Sequence, residues 1–261
     1  MNKNQIIEAA ALLYEAEKSL QPIKPLTDTY QGITIDEAYK IQLTNVNRKV
    51  EKGAKVVGKK IGLTSKAMQK MLGVPEPDYG HLFDAMVGDE EVAIKLSELL
   101  QPKVEAEIAF ILKDELKGPG VTISKVLQAT EGVVPAFEII DSRVKDWKIK
   151  IEDTIADNAS SAMVILGSKI TPVRNLDLKY VGLVLEKNGI IVDTAAGAAV
   201  LGHPAQAVAW LANMLARYDI SLKPGEIILS GSLTGAYQVT GNDVFTATFS
   251  ELGRVKSIFE R

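Results

Sequence analysis

A chain of 261 residues with 30 basic and 33 acidic side chains is long enough to bury a large core, and its charge is nearly balanced. This balance argues against nucleic acid as a partner. The absence of cysteine excludes thiol catalysis, disulfides and iron–sulfur clusters. Residues 1–18 carry acidic side chains through their apolar part, unlike a signal peptide, and the sequence has no uninterrupted apolar run of membrane-spanning length. We therefore expect a cytoplasmic protein.

The chain begins with two predicted helices. Apolar residues recur at helical spacing over residues 6–14, and Pro22 and Pro25 place a loop after this first helix. Residues 34–37 (TIDE) match a capping box, which predicts a second helix that ends near Gly53. The N-terminal part is therefore expected to be helical, ahead of a strand-rich remainder.

Residues 55–64 (KVVGKKIGLT) predict a strand that carries Lys59 and Lys60, and residues 65–72 predict a short helix. Adjacent residues of a strand face opposite ways, so at most one of the two lysines is expected to point inward. An inward lysine can neutralise a carboxylate or exchange protons, whereas the ordinary alternative is a solvated ammonium on a buried stem. Asp78 follows in a turn-rich loop, where it either braces the turn or projects into a site as an acid or base.

Two apolar segments carry three carboxylates. In residues 101–113 (QPKVEAEIAFILK), Glu105 and Glu107 fall on one face of a predicted strand, and residues 133–141 (VVPAFEIID) surround Glu138 with apolar side chains. One interpretation is a strand whose carboxylates face solvent. The other is a metal site, which in a chain with no cysteine and two histidines would be built mainly from oxygen ligands and would favour Mg²⁺ or Mn²⁺.

The remainder reads mostly as strands. Arg143 either grips a substrate carboxylate or pairs with an acidic residue. Asn188 and Gly189 predict the turn of a hairpin over residues 181–194. The small residues 197–202 precede a predicted helix over residues 203–218 but lack the GxGxxG spacing of a dinucleotide site. Further strands are predicted over residues 226–230, 244–249 and 254–259.

Six motifs in a fixed order give the chain a specific resemblance to a known family. They are GKKIGLTS (58–65), EPDYG (76–80), QPKVEAEIAF (101–110), FEIIDSR (137–143), ADNASS (156–161) and GAAVLGHP (197–204). Together they resemble the 2-keto-4-pentenoate (2-hydroxypenta-2,4-dienoate) hydratases and the 2-oxo-3-hexenedioate (4-oxalocrotonate) decarboxylases of aromatic meta-cleavage pathways. Both groups belong to the fumarylacetoacetate hydrolase superfamily, and the resemblance covers almost the whole chain.

The resemblance implies an α+β fold. Residues 76–261 are expected to form a fumarylacetoacetate hydrolase-like catalytic domain with a rolled, mixed β-sheet, and residues 1–75 a smaller helical, α/β N-terminal region. It also implies a homo-oligomer that associates with the sister decarboxylase or hydratase of the same pathway.

The resemblance further implies which residues form the site. Glu105, Glu107 and Glu138 are expected to bind Mg²⁺ or Mn²⁺. The lysine of the family's GxKxGLT pattern maps to Lys60 rather than Lys59, and Asp78 maps to an acid/base position. Residues of the pocket wall that are expected to contact substrate are Arg143, Asp157, Ser160, Ser232 and Thr234.

These residues suit a metal-dependent lyase whose substrate chelates the cation through its carboxylate and C2 oxygen. A hydratase protonates the dienol and adds water at C4, whereas a decarboxylase uses the same electron sink as CO₂ leaves. Residues 25–27 (PLT), 66–80, 145–154 and 230–233 look hydratase-like, whereas ADNASS and GAAVLGHP look like the decarboxylase branch. The first group is longer and spans more of the chain, so the hydratase is the expected activity.

Two other functions remain as alternatives. A C–C bond hydrolase of the fumarylpyruvate type is expected to need a histidine or acid that activates water, and His81 and His203 lie in no motif known for that role. A non-catalytic scaffold subunit is the other alternative, and the presence of Lys60 with all three carboxylates argues against it.

Overall fold

The computed structural model describes residues 1–66, 69–70 and 73–261. Its helices are α1 (Lys3–Ser19), α2 (Leu26–Thr29), α3 (Ile35–Glu51), α4 (Ile123–Ala129), α5 (Ile151–Ala156) and α6 (Pro204–Leu215). The helix predicted over residues 65–72 lies partly outside the described residues. Within the described ranges, no helix is both long and apolar enough to cross a membrane.

The two N-terminal helices form as predicted, and each begins at a capping box. Asn2 caps α1, and Thr34 caps α3. The Thr34 hydroxyl accepts a hydrogen bond from the Glu37 amide at 3.3 Å, and the Glu37 carboxylate accepts one from the Thr34 amide at 2.9 Å. These bonds satisfy backbone groups that a helix start leaves without partners. Helix α1 packs on α3, which in turn packs on α5.

The strands form two mixed sheets. They are β1 (Val56–Gly62), β2 (Asp78–Phe83), β3 (Val87–Gly88), β4 (Ile94–Lys95), β5 (Lys103–Leu112), β6 (Thr130–Ile140), β7 (Ser161–Leu166), β8 (Gly182–Lys187), β9 (Ile190–Ala196), β10 (Ile227–Ser232), β11 (Tyr237–Gln238), β12 (Val244–Phe249) and β13 (Gly253–Glu260). The eight-stranded sheet has the order β2-β1-β10-β5-β6-β7-β3, with β11 paired to β5. The five-stranded sheet has the order β4-β13-β12-β8-β9.

An apolar layer joins the two sheets. Phe137 of β6 contacts Phe245 of β12 edge to face, with ring centroids 6.5 Å apart, and Phe245 contacts Phe259 of β13 in the same way at 6.2 Å. All three rings are buried. Because Phe137 faces this layer, the adjacent Glu138 projects from the opposite face of the sheet, together with Glu105 and Glu107 of β5.

The predicted boundary between residues 75 and 76 separates two strands that are paired in the structure. Strand β1 is hydrogen-bonded in parallel to β10 and in antiparallel to β2. The eight-stranded sheet therefore contains residues from both sides of the boundary. The division into residues 1–75 and 76–261 stays a prediction, while the α+β class is confirmed.

The C-terminal elements follow the sequence pattern closely. The β8–β9 hairpin forms, with Asn188 at φ 55° and Gly189 at φ 76° in its turn. The predicted C-terminal strands correspond to β10, β12 and β13. The helix predicted over residues 203–218 ends as an α-helix at Leu215, and residues 216–218 continue it as one turn of 3₁₀-helix.

Candidate metal centre

Three carboxylates come together because β5 and β6 are neighbouring antiparallel strands. Glu105 lies directly opposite Glu138, and Glu107 follows two residues later on the same face of β5. One oxygen from each carboxylate lies within 4.8 Å of the others. The structure thus gathers the predicted metal ligands into one cluster.

Two of these carboxylates are buried, and the third is half-buried. Glu107 is 1% exposed, Glu138 is 0% exposed, and Glu105 is half-buried. The interpretation that Glu105 and Glu107 line a solvated strand face is therefore wrong, because Glu107 and the neighbouring Glu138 are buried on that face. A buried group of like charges is unfavourable unless protons or a cation compensate it.

The pKa values reflect this environment. Burial raises the pKa of Glu138 to about 7, although the Lys60 ammonium acts in the opposite direction. Burial, together with the charges of Glu138 and Glu105, raises the pKa of Glu107 well above its usual range. Burial also raises the pKa of Glu105, against the effect of Lys60. The protein itself therefore supplies too little positive charge to keep all three carboxylates ionised.

The donor set of this cluster fits a hard divalent cation. Glu107 Oε1 and Glu138 Oε1 accept no hydrogen bond from the part of the chain that the structure describes, and Glu138 Oε2 has only the Lys60 ammonium beside it, at 3.3 Å. Glu107 Oε2 accepts one from the Gly231 amide at 2.7 Å, which fixes that carboxylate. Oxygen atoms that face one another without protein donors are the ligands that Mg²⁺ and Mn²⁺ prefer.

Lys60 and Lys59 both lie inside the protein, on opposite faces of β1. Lys60 Nζ lies 3.3 Å from Glu138 Oε2 and donates a hydrogen bond to the Ala159 carbonyl at 3.0 Å. Lys59 Nζ pairs with Glu226 on the other face at 2.7 Å. Each lysine is 3% exposed, so the expectation that at most one points inward is wrong. A carboxylate on each side, Glu138 for Lys60 and Glu226 for Lys59, explains why both ammonium groups are tolerated.

Burial lowers the pKa of Lys60, but the charges of Glu138, Asp78, Glu105 and Glu107 raise it by more, and the net direction is upward. The raised pKa keeps Lys60 as an ammonium ion. It supplies one positive charge beside three carboxylates.

Asp78 belongs to β2 rather than to the preceding loop, so its role as a brace of that loop is not supported. It is 2% exposed and pairs across the strands with Gly62. A Cβ at residue 62 would lie 2.1 Å from Asp78 Oδ1 and 3.4 Å from Lys60 Nζ, which places the carboxylate and the ammonium around one small space. Burial raises the pKa of Asp78, and Lys60 opposes this shift.

Arg143 and Asp157 pair with each other. Arg143 Nε donates to the Asp157 carboxylate, and its two terminal nitrogens donate to the carbonyls of Asp157, Asp141 and Ser161. The Arg143 amide and the Ser160 hydroxyl also donate to Asp157 Oδ2, at 3.0 and 3.3 Å. Burial raises the pKa of Asp157 to about 6, against the effect of Arg143. The structure therefore favours an internal role for these residues over direct contact with substrate.

The end of β10 lies beside the carboxylate cluster. Ser232 is opposite Glu107 in the β5–β10 register, and its buried hydroxyl has no hydrogen-bond partner among the described residues. Thr234 lies two residues further along, half-buried, and its hydroxyl donates to the Gly235 carbonyl at 3.3 Å. Ser232 is therefore the predicted pocket-wall residue that pairs directly with an expected metal ligand, Glu107.

Two features of the site were not predicted. Gly231 has φ 108°, and a Cβ there would lie 2.1 Å from Thr64 Oγ1, so a glycine is needed for this segment to approach Thr64, which follows β1. The Ala159 carbonyl, which accepts from Lys60, belongs to the ADNASS motif. That motif was identified, but alanine carries no side-chain signal for a backbone contact.

Comparison with known proteins agrees with this architecture. The model of the fumarylacetoacetate (FAA) hydrolase C-terminal family matches residues 59–259. The chain is 48% identical over 260 residues to a 2-keto-4-pentenoate hydratase of Paraburkholderia xenovorans, covering 100% of this chain and 97% of the relative. It is 40% identical over 259 residues to a 4-oxalocrotonate decarboxylase of a Pseudomonas species, covering 99% and 98%.

A solved structure also matches over nearly its full length. It is the 4-oxalocrotonate decarboxylase of Pseudomonas putida G7 complexed with magnesium and adipate, with a TM-score of 0.96, 37% identity, and coverage of 99% of this chain and 98% of that one. The matched family model spans most of the chain, including every carboxylate of the cluster. By sequence, fold and the arrangement of its two sheets, the chain belongs to the fumarylacetoacetate hydrolase family.

Proposed function

We propose that this protein is a divalent-metal-dependent hydratase that adds water to 2-hydroxypenta-2,4-dienoate (2-keto-4-pentenoate) and forms 4-hydroxy-2-oxopentanoate. The observation that carries the proposal is the buried cluster of Glu105, Glu107 and Glu138 with the Lys60 ammonium against it. A hydratase relative that is 48% identical over the full chain supplies the reaction class.

The three glutamates hold Mg²⁺ or Mn²⁺ in this proposal. The cation supplies positive charge toward the carboxylate and C2 oxygen of a 2-oxo or 2-hydroxy acid. The protein contributes a fixed set of oxygens for this purpose, because Glu107 is held by the Gly231 amide and Glu138 is held beside Lys60. A magnesium complex of a similar decarboxylase supports the choice of metal.

Lys60 and Asp78 carry the protons of the reaction. The dienol loses its hydroxyl proton and gains one at C5, which gives the 2-oxo-3-enoate, and water then adds its oxygen to C4 and a proton to C3. Each step needs a donor or acceptor close to the carbon chain. The ammonium and carboxylate beside Gly62 are buried and face a shared space, so they meet this need. Ser232 and Thr234 are proposed to line the substrate side of the site.

A second candidate is the decarboxylation of 2-oxo-3-hexenedioate (4-oxalocrotonate). It is favoured by the TM-score of 0.96 to the Pseudomonas putida G7 decarboxylase. Both reactions use a cation as an electron sink, so the carboxylate cluster alone suits either. The hydratase is preferred because the hydratase relatives reach a higher identity than the decarboxylase relative does.

An NMR product assay with Mg²⁺ or Mn²⁺ separates these activities. We expect 4-hydroxy-2-oxopentanoate from freshly generated 2-hydroxypenta-2,4-dienoate, and loss of this product in a folded Glu105→Gln variant. CO₂ release from 2-oxo-3-hexenedioate without hydration of the dienoate would contradict the hydratase. Full hydration by the Glu105→Gln variant would contradict the metal site.

We also propose a homo-oligomer. Strand β9 is at the edge of the five-stranded sheet, and its Ile190 and Ile191 are 69% and 61% exposed. An apolar edge strand of this kind is a ready surface for pairing with a second copy. Sedimentation of the wild-type protein and of an Ile190→Lys, Ile191→Lys variant tests this, and a monomeric wild type would contradict it. Association with a sister enzyme of the pathway stays a prediction.

A further inference from the structure

The turn between α5 and β7 has an unusual backbone. Asn158, Ala159 and Ser160 have φ values of 53°, 50° and 55°, so three consecutive residues other than glycine are left-handed. Asparagine tolerates this region, but alanine and serine rarely adopt it. Such a segment persists where surrounding contacts determine its conformation, and it is found most often at functional sites. We call these three residues, together with Asp157 before them, the left-handed turn (residues 157–160).

The Asn158 side chain attaches this turn to β2. Its Oδ1 accepts a hydrogen bond from the His81 amide at 2.8 Å, and its Nδ2 donates one to the His81 carbonyl at 2.9 Å. The amide thus satisfies both backbone groups of one residue of β2. Gly80 allows the close approach, since a Cβ there would lie 2.4 Å from the Asn158 carbonyl oxygen.

A second set of contacts holds the start of the turn. Asp157 accepts hydrogen bonds from the side chain and the backbone of Arg143, and from the Ser160 hydroxyl within the turn itself. Asp157 and Arg143 are 2% and 5% exposed. The left-handed turn is therefore held at two places, by β2 and by a buried ion pair.

The turn presents one backbone oxygen to the carboxylate cluster. The Ala159 carbonyl accepts a hydrogen bond from Lys60 Nζ at 3.0 Å, and the same nitrogen lies 3.3 Å from Glu138 Oε2. A lysine side chain is long and flexible, so these two acceptors determine where its ammonium lies. A shift of the carbonyl would move the ammonium away from the space that it shares with Asp78.

We infer that Asn158 is a positioning residue, which acts through the Ala159 carbonyl on Lys60 and does not contact the substrate. The inference rests on the proposed function, because it assigns the chemical step to Lys60. It also gives Arg143, Asp157 and Ser160 a different role from the predicted one, since they support the left-handed turn.

The test uses Asn158→Gly, because glycine keeps the left-handed backbone without strain and loses both bonds to His81. We expect kcat to fall roughly ten- to a hundredfold, with KM and the Mn²⁺ affinity unchanged, because the substituted side chain contacts neither substrate nor metal. Asn175→Gly is the matched control, since Asn175 is also left-handed, at φ 69°, but is exposed in a different turn. It should behave as the wild type does.

A double-mutant cycle with Lys60→Gln separates this role from a general structural one. If Asn158 acts through Lys60, Asn158→Gly lowers the residual turnover of the Lys60→Gln variant little or not at all. Equal factors of loss in both backgrounds would overturn the inference. Wild-type kcat in the Asn158→Gly variant would overturn it as well.

A measurement that needs no turnover provides an independent answer. In protein labelled with ¹⁵N-lysine, the Lys60 ammonium signal is assigned by its loss in Lys60→Gln, and its proton exchange with water is compared between variants. We expect faster exchange in Asn158→Gly, and an unchanged rate would overturn the inference. A wild-type protein that does not hydrate the dienoate would contradict the proposed function but would leave this measurement intact.

Discussion

Gly62 and Asp78 are paired across β1 and β2, and a Cβ at residue 62 would lie 2.1 Å from Asp78 Oδ1. The same Cβ position is 3.4 Å from Lys60 Nζ. The missing side chain of the glycine is therefore what allows a buried carboxylate and a buried ammonium to approach the same space. This relationship connects the GKKIGLTS and EPDYG motifs, which are separate in the sequence.

The first prediction follows from this approach. Gly62→Ala should displace Asp78 and lower kcat/KM by about a hundredfold, since small displacements of catalytic groups have effects of this size. The Mn²⁺ affinity should change little, because the glutamate ligands are on β5 and β6. Steady-state kinetics and a Mn²⁺ titration check both parts. Gly182→Ala is the control, as the nearest atom to a Cβ there is Ser250 Oγ at 3.8 Å. Equal activity of the two variants would contradict the prediction.

The second prediction concerns the metal ligands. Glu107→Gln removes one of three repelling carboxylates, so the metal-free variant should unfold at the same temperature as the metal-free wild type or higher. The wild type should be stabilised by about 2.7 kcal/mol at a Mn²⁺ concentration a hundred times its Kd, and the variant should not be stabilised. Thermal unfolding with and without Mn²⁺ measures this. A Glu115→Gln variant, altered at the surface, should respond to Mn²⁺ as the wild type does.

The sequence predicts the parts of this site that depend on local pattern. Strand alternation alone puts Glu105 and Glu107 on one face, and the capping box predicts the start of α3. The resemblance to known families then selects Lys60 over Lys59, which strand parity cannot do. These predictions succeed because each depends on residues that are neighbours in the chain.

Other parts depend on contacts between distant segments. The burial of Lys59 follows from Glu226, which is 167 residues away. Arg143 was expected to contact substrate, yet its side chain donates to the Asp157 carboxylate and to the backbone carbonyls of Asp157 and Ser161, which lie at the start of the left-handed turn and directly after it. The left-handed turn itself depends on the hydrogen bonds between Asn158 and β2. No pattern of residue types around these positions specifies such partners.

The third prediction concerns the pH dependence of stability. Burial lowers the pKa of His81 to about 3, and the charge of Lys59 acts in the same direction. Gln42 donates through Nε2 to two backbone carbonyls, so its Oε1 accepts from His81 Nδ1, which fixes a neutral tautomer. The unfolded imidazole takes up a proton near pH 6.5, whereas the folded one stays neutral, so stability is lost as the pH falls from there toward 3.

Urea unfolding at pH 7 and pH 5 checks this prediction. Between these values the wild type should lose about 2 kcal/mol more of its unfolding free energy than a His81→Gln variant, which cannot take up this proton. Both proteins are measured without metal, so that the carboxylate cluster contributes equally to each. Parallel losses in the two proteins would show that His81 does not titrate as the structure implies.

The last prediction distinguishes the two lysines of β1. Glu226→Gln leaves the Lys59 ammonium buried without its carboxylate, and should lower the free energy of unfolding by about 3 kcal/mol. The pair lies on the face of β1 opposite Lys60, so kcat and KM of the folded protein should stay at wild-type values. Urea unfolding and steady-state kinetics measure the two effects.

A Lys59→Met, Glu226→Leu double variant should recover part of the lost stability, because neither charge is then left alone in the interior. A loss of turnover in Glu226→Gln without a loss of stability would instead assign Lys59 to the chemistry and remove the distinction between the two lysines.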